Sequence, residues 1–225
     1  MVFPAVNMDK KERGMIKLYT FQEFVDLVSS FHGYAAPGVI IGGFMVDLAY
    51  RHLPQGGLFD ALCETSKCLP DAIQLLTPCT LGNGWLTVVN TGRFALTLYD
   101  KETGDGVRVF VDPVRLNGWS EIRAWFFKLK QKKEQNNLRL MMEIREVGAG
   151  ICDFQTVKVA DRFLKKSHRR GFAVCSCCGE AYPVDDGPLC LGCRDPLWTV
   201  FEDLEGNRQS FLHDVASGDT IRGQK

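Results

Sequence analysis

The chain has 225 residues, of which 45% are hydrophobic and 24% are charged. This composition is typical of a folded globular protein and excludes a disordered, collagen-like or mucin-like chain. The 27 basic and 27 acidic side chains balance, so the chain lacks the overall positive field that draws proteins to nucleic acid or to an anionic membrane.

The sequence shows no segment that would cross or target a membrane. The longest stretch without a charged residue, residues 31–46, is too short to span a bilayer, and Pro37 and several glycines interrupt it. Residues 1–14 do not combine an apolar core with a cleavage site of small residues, so they do not resemble a signal peptide. We therefore expect a cytoplasmic protein.

The N-terminal half alternates helices with a strand. Apolar residues at helical spacing predict a helix over residues 20–31, with Thr20 as its N-cap. Residues 39–53 are apolar almost all round, which predicts a buried helix. Residues 58–64 then predict a strand, and residues 68–76 predict a third helix.

Three strands follow in quick succession. The strands predicted over residues 85–89 and 93–99 are separated by an Asn-Thr-Gly turn, which predicts that they pair as a hairpin. The later elements are a strand at 106–111, helices at 120–129 and 138–147, and a strand at 154–159. This order predicts an α+β fold, in which helices pack on a mixed or antiparallel sheet.

Two domains are expected. Residues 1–159 form the α+β core, residues 160–171 form a basic connector, and residues 172–225 form a small zinc-finger domain. Within the small domain, residues 182–187 are expected to fold back as a short hairpin, and a second hairpin is expected around residues 205–207. A piece of roughly fifty residues is too small to rest on a hydrophobic core alone, so it needs a metal.

The cysteines predict where that metal lies. Nine cysteines, an odd number without an export signal, argue against a disulfide scaffold. The pairs Cys175–Cys178 and Cys190–Cys193 each have two intervening residues, the spacing that turns four thiolates toward one zinc ion. Cys177 is expected to lie outside this set. The alternative is a group of buried or free cysteines without metal.

Charge argues against nucleic acid as the partner of this finger. Residues 180–205 contain seven acidic side chains and a single basic one, Arg194. A finger that binds phosphate would have the opposite balance. The finger is therefore expected to be structural or to face another protein.

Three stretches of the first half carry reactive groups. His32 lies in a Gly/Pro-rich turn, Cys68 begins the third predicted helix, and Cys79 follows that helix in a Gly-rich loop. The positive end of the helix dipole at Cys68 is expected to lower the pKa of its thiol.

In order and spacing, these stretches resemble the FmdE family, which takes its name from a subunit of formylmethanofuran dehydrogenase. The family pattern runs His-Gly-His-x-Cys-Pro-Gly, then Cys-x-x-Asp-Ala-Ile-Gln, then Thr-Gly-Cys-Thr-x-Gly-x-Gly. A Gly-Val-Arg-Val-like strand follows and is matched by residues 106–109. Many members add a four-cysteine zinc finger of the treble-clef kind at the C-terminus. The resemblance covers roughly residues 20–195.

The resemblance implies an α+β core, often dimeric, with a cleft lined by His and Cys residues. It implies a zinc-binding accessory or orphan relative of the molybdenum or tungsten enzyme of one-carbon, methanogenesis-related metabolism, with an unknown substrate. Other subunits of that enzyme are the implied partners, and the FmdE subunit does not hold the pterin cofactor. The apolar run at residues 39–53 also favours a homodimer.

A core site is expected where the three motifs meet. Tyr34 and Ala36 stand where the family has a His and a Cys, and residue 78 is Pro in place of Gly. Loss of two ligands leaves a second metal in the core an open question. Tyr34 is expected to point into the same pocket. The residues expected to face that pocket, as a candidate catalytic set, are His32, Cys68, Asp71 and Cys79.

Two other functions stay open on the sequence. A core metal or the Cys68 thiolate would support a redox or group-transfer enzyme. A zinc-finger adaptor or regulator that binds protein is the other alternative, with nucleic acid disfavoured as a target. Metal stoichiometry separates these, because one zinc per chain favours the finger alone and two metals favour a functional core site.

Overall fold

The computed structural model describes residues 15–53, 58–164 and 170–194. They divide into two compact units, with the boundary after residue 165. The larger unit contains β1 (Met15–Ile16), β2 (Tyr19–Thr20), α1 (Phe21–His32), α2 (Pro37–His52), β3 (Phe59–Cys63), α3 (Leu69–Leu76), β4 (Leu86–Val88), β5 (Ala95–Asp100), β6 (Asp105–Val111), α4 (Ser120–Phe126), α5 (Asn137–Val147) and β7 (Cys152–Lys158). The smaller unit contains β8 (Phe172–Val174), β9 (Ala181–Pro183) and α6 (Leu191–Arg194).

Helix α1 begins at the residue that the sequence predicts. The Thr20 hydroxyl accepts a hydrogen bond from the backbone N–H of Glu23, and the Glu23 carboxylate accepts one from the backbone N–H of Thr20. This reciprocal capping box satisfies two donors that a helix N-terminus otherwise leaves free. The N-cap prediction is confirmed.

Helix α2 is the centre of the core. Its residues from Gly38 to Ala49 are all buried, as its continuous apolar sequence predicts. Two glycines allow close helix packing: a Cβ at Gly42 would lie 2.7 Å from the Cβ of Ala72 in α3, and a Cβ at Gly43 would overlap the ring of Phe24 in α1. Small residues at these positions therefore set the distance between α2 and its two neighbours.

Five strands form a mixed sheet in the order β4-β3-β5-β6-β7. Strands β3 and β4 are parallel, and every other neighbouring pair is antiparallel. Helices that pack on one mixed sheet make this an α+β fold, which confirms the predicted class.

The predicted hairpin between the fourth and fifth strands is wrong. Strand β3 lies between β4 and β5 and pairs with both. The connecting loop passes the end of β3, where the backbone N–H of Val89 donates to the Cys63 carbonyl and that of Thr91 donates to the Glu64 carbonyl. A turn signal thus marks a crossing loop here, because the buried β3 offers both edges for pairing.

Helix α4 takes its N-terminal cap from another helix. Its N-cap residue, Trp119, makes no capping hydrogen bond through its side chain. The Glu143 carboxylate of α5 instead accepts hydrogen bonds from the backbone N–H groups of Glu121 (2.9 Å) and Ile122 (3.1 Å). A negative charge at this end also complements the helix dipole, so α5 fixes where α4 starts.

In the smaller unit, β8 and β9 form an antiparallel hairpin that brackets the first cysteine pair. The expected hairpin over residues 182–187 is therefore displaced: only its start lies in a strand, and Val184–Asp186 form a 3-10 turn. The Tyr182 hydroxyl donates to the Gly187 carbonyl at 3.0 Å and closes that turn. The hairpin expected around residues 205–207 and residues 165–169 of the connector lie outside the described residues.

Within the described residues, none of the helices combines the length and the apolar character that a membrane crossing requires.

Candidate functional site

Four cysteine thiols converge in the smaller unit. Cys175 and Cys178 lie in the turn between β8 and β9, and Cys190 and Cys193 lie at the start of α6. The four sulfur atoms all lie within 4.8 Å of one another, and the Cys178 and Cys190 sulfurs are 3.8 Å apart. A tetrahedron with zinc–sulfur bonds of about 2.3 Å has sulfur–sulfur edges of about 3.8 Å. The donor set therefore fits zinc.

The knuckle backbone prepares these thiols for a cation. Backbone N–H groups of Cys190 and Cys178 donate to the Cys175 sulfur and lower the pKa of that thiol to about 6. Gly179, with a left-handed φ of 76°, returns the chain after the first pair. Cys177 is exposed and is not among the four converging thiols, as the sequence predicts.

In the larger unit, the structure brings His32 and Asp71 into contact. His32 is the last residue of α1, and Asp71 lies in the first turn of α3. The His32 Nδ1 lies 2.6 Å from the Asp71 Oδ2, and the imidazole ring lies 5.1 Å from the ring of Tyr34. Tyr34 thus packs beside the pair, although 59% of its surface is exposed to solvent.

Cys68 is the N-cap of α3 and adopts a left-handed backbone with φ of 57°. Its side chain packs against Gly38 at the start of α2, where a Cβ would lie 2.9 Å from the Cys68 Cβ. Burial raises the pKa of the Cys68 thiol, and the nearby Asp71 carboxylate raises it further. The expectation of a lowered pKa is wrong, because desolvation and a like charge outweigh the helix dipole.

Cys79 lies beyond the other end of α3, which has eight residues and a length of about 12 Å. The thiol is buried and donates to the Phe59 carbonyl at 3.6 Å. Among the described residues, no three ligand atoms from His32, Cys68, Asp71 and Cys79 lie within 4.8 Å of one another. The structure therefore pairs His32 with Asp71 and places Cys79 apart from Cys68 along the helix.

A cavity of about 860 Å³ opens beside Cys68. It lies between the start of α3, strand β6, and α4 with the segment that follows α4. Aromatic and aliphatic side chains form its walls, and six basic side chains reach it. Its lining includes Gly38, Lys67, Cys68, Arg93, Phe94, Arg108, Phe110, Trp125, Phe126, Lys128, Lys130 and Lys132.

The family model described as FmdE, from the molybdenum formylmethanofuran dehydrogenase operon, matches residues 31–161, more than half of the chain. The chain belongs to the FmdE family. The resemblance drawn from the three motifs is confirmed. A second model, the FmdE treble clef zinc finger, matches residues 166–196 and includes all four converging cysteines. The smaller unit is thus a treble-clef finger with a structural zinc site.

Two relatives place the chain within the family. A protein of known structure from Syntrophus aciditrophicus, described as an FmdE-like protein of tungsten formylmethanofuran dehydrogenase, is 55% identical. The match covers 81% of this chain and 96% of that one, with a TM-score of 0.75. A protein from Archaeoglobus fulgidus, described as a probable S-adenosyl-L-methionine-binding protein, is 30% identical over 196 residues. That match covers 76% of this chain, which spans about half (52%) of the relative's length.

Sequence reasoning does not find the cavity of this FmdE protein. Its cations come from separate segments of a chain whose charges balance, so no local charge run marks the site. The one local signal is the alternation of Lys128, Lys130 and Lys132 after α4, which presents three cations at regular spacing.

Proposed function

We propose that this chain is an accessory, ligand-binding member of the FmdE family. It serves the molybdenum or tungsten formylmethanofuran dehydrogenase system of one-carbon metabolism without carrying that enzyme's cofactor. The observation behind the proposal is the cavity of about 860 Å³, which borders Gly38 of the first family motif and Cys68 of the second. A cavity of this size is suited to a small organic ligand.

Two features favour binding over catalysis at this cavity. The raised pKa of Cys68 keeps its thiol largely protonated near neutral pH, and a protonated thiol is a weak nucleophile. The described part of the core also does not gather three metal-ligating atoms at one point. A site with apolar walls and an unactivated thiol is suited to hold a ligand for another protein of the system.

The names of the relatives supply two candidate ligands. The Syntrophus relative is described by its likeness to a component of formylmethanofuran dehydrogenase, which makes formylmethanofuran the first candidate. The Archaeoglobus relative is described as binding S-adenosyl-L-methionine. That compound carries a sulfonium cation, and the basic side chains around this cavity would repel it.

Calorimetric titration of the purified chain with formylmethanofuran tests the proposal, with a dye-linked assay of formylmethanofuran oxidation on the same preparation. We expect binding without turnover. Trp125→Leu, which removes a cavity wall, should weaken binding about tenfold. Phe127→Leu changes the next aromatic residue but one, which does not line the cavity, and should leave binding unchanged.

Three outcomes would contradict the proposal. Turnover by the chain alone would make it an enzyme. Failure of formylmethanofuran to bind would remove the assigned system. Tighter binding of S-adenosyl-L-methionine, titrated in parallel, would assign the cavity to the ligand named for the Archaeoglobus relative.

We also propose that the core forms a homodimer, as the resemblance implies and as the apolar sequence of α2 favours. Light scattering at low protein concentration measures this directly. A mass near 25.2 kDa, that of one chain, would contradict the dimer.

A further inference from the structure

We propose that the cavity beside Cys68 binds an anionic ligand that carries a planar aromatic ring, with lysines at its mouth holding the anion. The biological role of such a ligand rests on the proposed function. Three independent features of the cavity support this ligand class: its walls, its charge and its backbone conformation.

The walls are suited to a flat ring. The rings of Phe94 and Phe126 meet edge to face, with centroids 6.0 Å apart and planes at 85°, and Trp125 lies 6.2 Å from Phe126. On the β6 side, the guanidinium of Arg108 lies 5.2 Å from the ring of Phe110. Aromatic groups bind other rings in offset or edge-on geometry and bury large areas. A planar ligand can therefore lie between α4 and the sheet.

The charge around the cavity is strongly one-sided. Six basic side chains line it, and none of its described lining residues is acidic. Glu64 pairs with Arg93 at 2.6 Å and with Arg108 at 2.5 Å, and Glu121 pairs with Lys130 at 2.8 Å.

The three other cations of the cavity are Lys67, Lys128 and Lys132. None of these forms an ion pair with a carboxylate among the described residues. Two carboxylates thus offset only part of the positive charge of six cations. The surplus attracts an anion, and a partly apolar cavity strengthens that attraction.

The backbone places one of these lysines at a conformational cost. Lys128 has a left-handed φ of 54°. Its backbone N–H donates to the Trp125 carbonyl, and that of Leu129 donates to the Ala124 carbonyl, which is the glycine-favouring Schellman ending of α4. Among the described residues, three non-glycine residues have left-handed φ, and two of them, Cys68 and Lys128, line this cavity. Such strain concentrates at functional sites.

A pair of fluorescent probes tests the inference. 1-Anilinonaphthalene-8-sulfonate joins a planar aromatic group to an anion, and N-phenyl-1-naphthylamine is the same aromatic group without the sulfonate. We expect the sulfonate to bind at one site and to weaken as salt rises. The neutral amine should bind less tightly and should be insensitive to salt.

Three variants locate the anion. Lys128→Gly and Lys67→Gln should each weaken sulfonate binding about three- to tenfold and change amine binding less than about twofold. Lys133→Gln removes the same charge beside Lys132 at a residue that does not line the cavity, so it is the matched control. Because glycine relieves the left-handed strain, Lys128→Gly should also raise the melting temperature by about 2–4 °C. A weaker site in a more stable protein separates loss of a ligand contact from loss of fold.

Competition identifies the anion. Displacement of the sulfonate probe by inorganic pyrophosphate would favour a phosphate-bearing ligand, and displacement by citrate would favour a carboxylate-bearing one. Displacement by neither, or unchanged sulfonate affinity in both lysine variants, would overturn the inference. Unchanged sulfonate affinity in Trp125→Leu would overturn the assignment of the ring to the aromatic walls.

The result is independent of the proposed function. If formylmethanofuran fails to bind while the sulfonate binds with the expected lysine dependence, the ligand class stands and the assigned system falls. If formylmethanofuran binds and the lysine variants change neither ligand, the proposed function stands and this inference falls.

Discussion

The His32 Nδ1 lies 2.6 Å from the Asp71 Oδ2, so the last residue of α1 is joined to the first turn of α3. The two residues are 39 positions apart in the sequence and belong to different family motifs. About a fifth of the His32 side chain and less than a third of the Asp71 side chain are exposed, at 19% and 29%. Partial burial makes this contact worth more than an ordinary surface pair.

A double-mutant cycle measures this contact. His32→Ala, Asp71→Ala and the double variant should show a coupling free energy of about 0.5–1.5 kcal/mol in urea unfolding. The pair Lys158–Asp105, at 3.2 Å with both side chains more than half exposed, is the matched control and should couple by less than about 0.5 kcal/mol. Additive effects of His32→Ala and Asp71→Ala would show that the contact contributes nothing to stability.

Removal of one zinc ligand should release the metal and unfold only the finger. Cys175→Ser replaces a thiolate that completes the four-sulfur shell, so the variant should lose most of its zinc and the finger's structure. Cys177→Ser is the matched control, because this exposed thiol lies outside the shell. Elemental analysis gives the zinc content, and hydrogen exchange reports each unit separately. Full zinc retention by Cys175→Ser combined with Cys190→Ser would refute the ligand set.

A methyl group at Gly42 should destabilise the core. A Cβ there would lie 2.7 Å from the Cβ of Ala72 and 2.9 Å from a Leu69 methyl, closer than side chains tolerate. We expect Gly42→Ala to cost about 1–3 kcal/mol of unfolding free energy. Gly118→Ala adds the same methyl where nothing lies within 4 Å and should change stability by less than about 0.5 kcal/mol. Equal thermal stability of the two variants would show that α2 and α3 can move apart.

Glu64 should make the core sensitive to acid. Burial raises the pKa of Glu64, but hydrogen bonds and charge from Arg108 and Arg93 lower it more, so the net pKa lies below its ordinary 4.5. A carboxylate with a depressed pKa in the folded state stabilises the fold above the unfolded-state pKa. That contribution is lost as the pH falls below about 4.5 and through the lower folded-state pKa.

Urea unfolding at several pH values tests this effect. Glu64→Gln should be about 1–3 kcal/mol less stable than the wild type at pH 7, and the difference should shrink between about pH 4.5 and pH 3. Any loss of zinc in acid affects both proteins and cancels in the comparison. Glu102→Gln, at an exposed turn, is the control. A stability difference that stays constant with pH would contradict the charged role of Glu64.

Local signals predicted local structure well. Thr20 and Glu23 lie three residues apart, so their capping box forms within one helical turn and can be inferred from sequence alone. The hairpin over residues 85–99 failed for the opposite reason. Its Asn-Thr-Gly turn is compatible with a hairpin, but β3, more than twenty residues earlier in the chain, offers each of the two strands a buried partner.

The sequence by itself determined the helices, the α+β class and the four-cysteine finger, because spacing within a few residues dictates each of them. Only the tertiary structure decided the strand order, the contact between His32 and Asp71 and the raised pKa of Cys68. It also gathered Lys67, Arg108 and Lys128 around one cavity. These features depend on burial and on groups brought together from distant segments, and no local pattern encodes either.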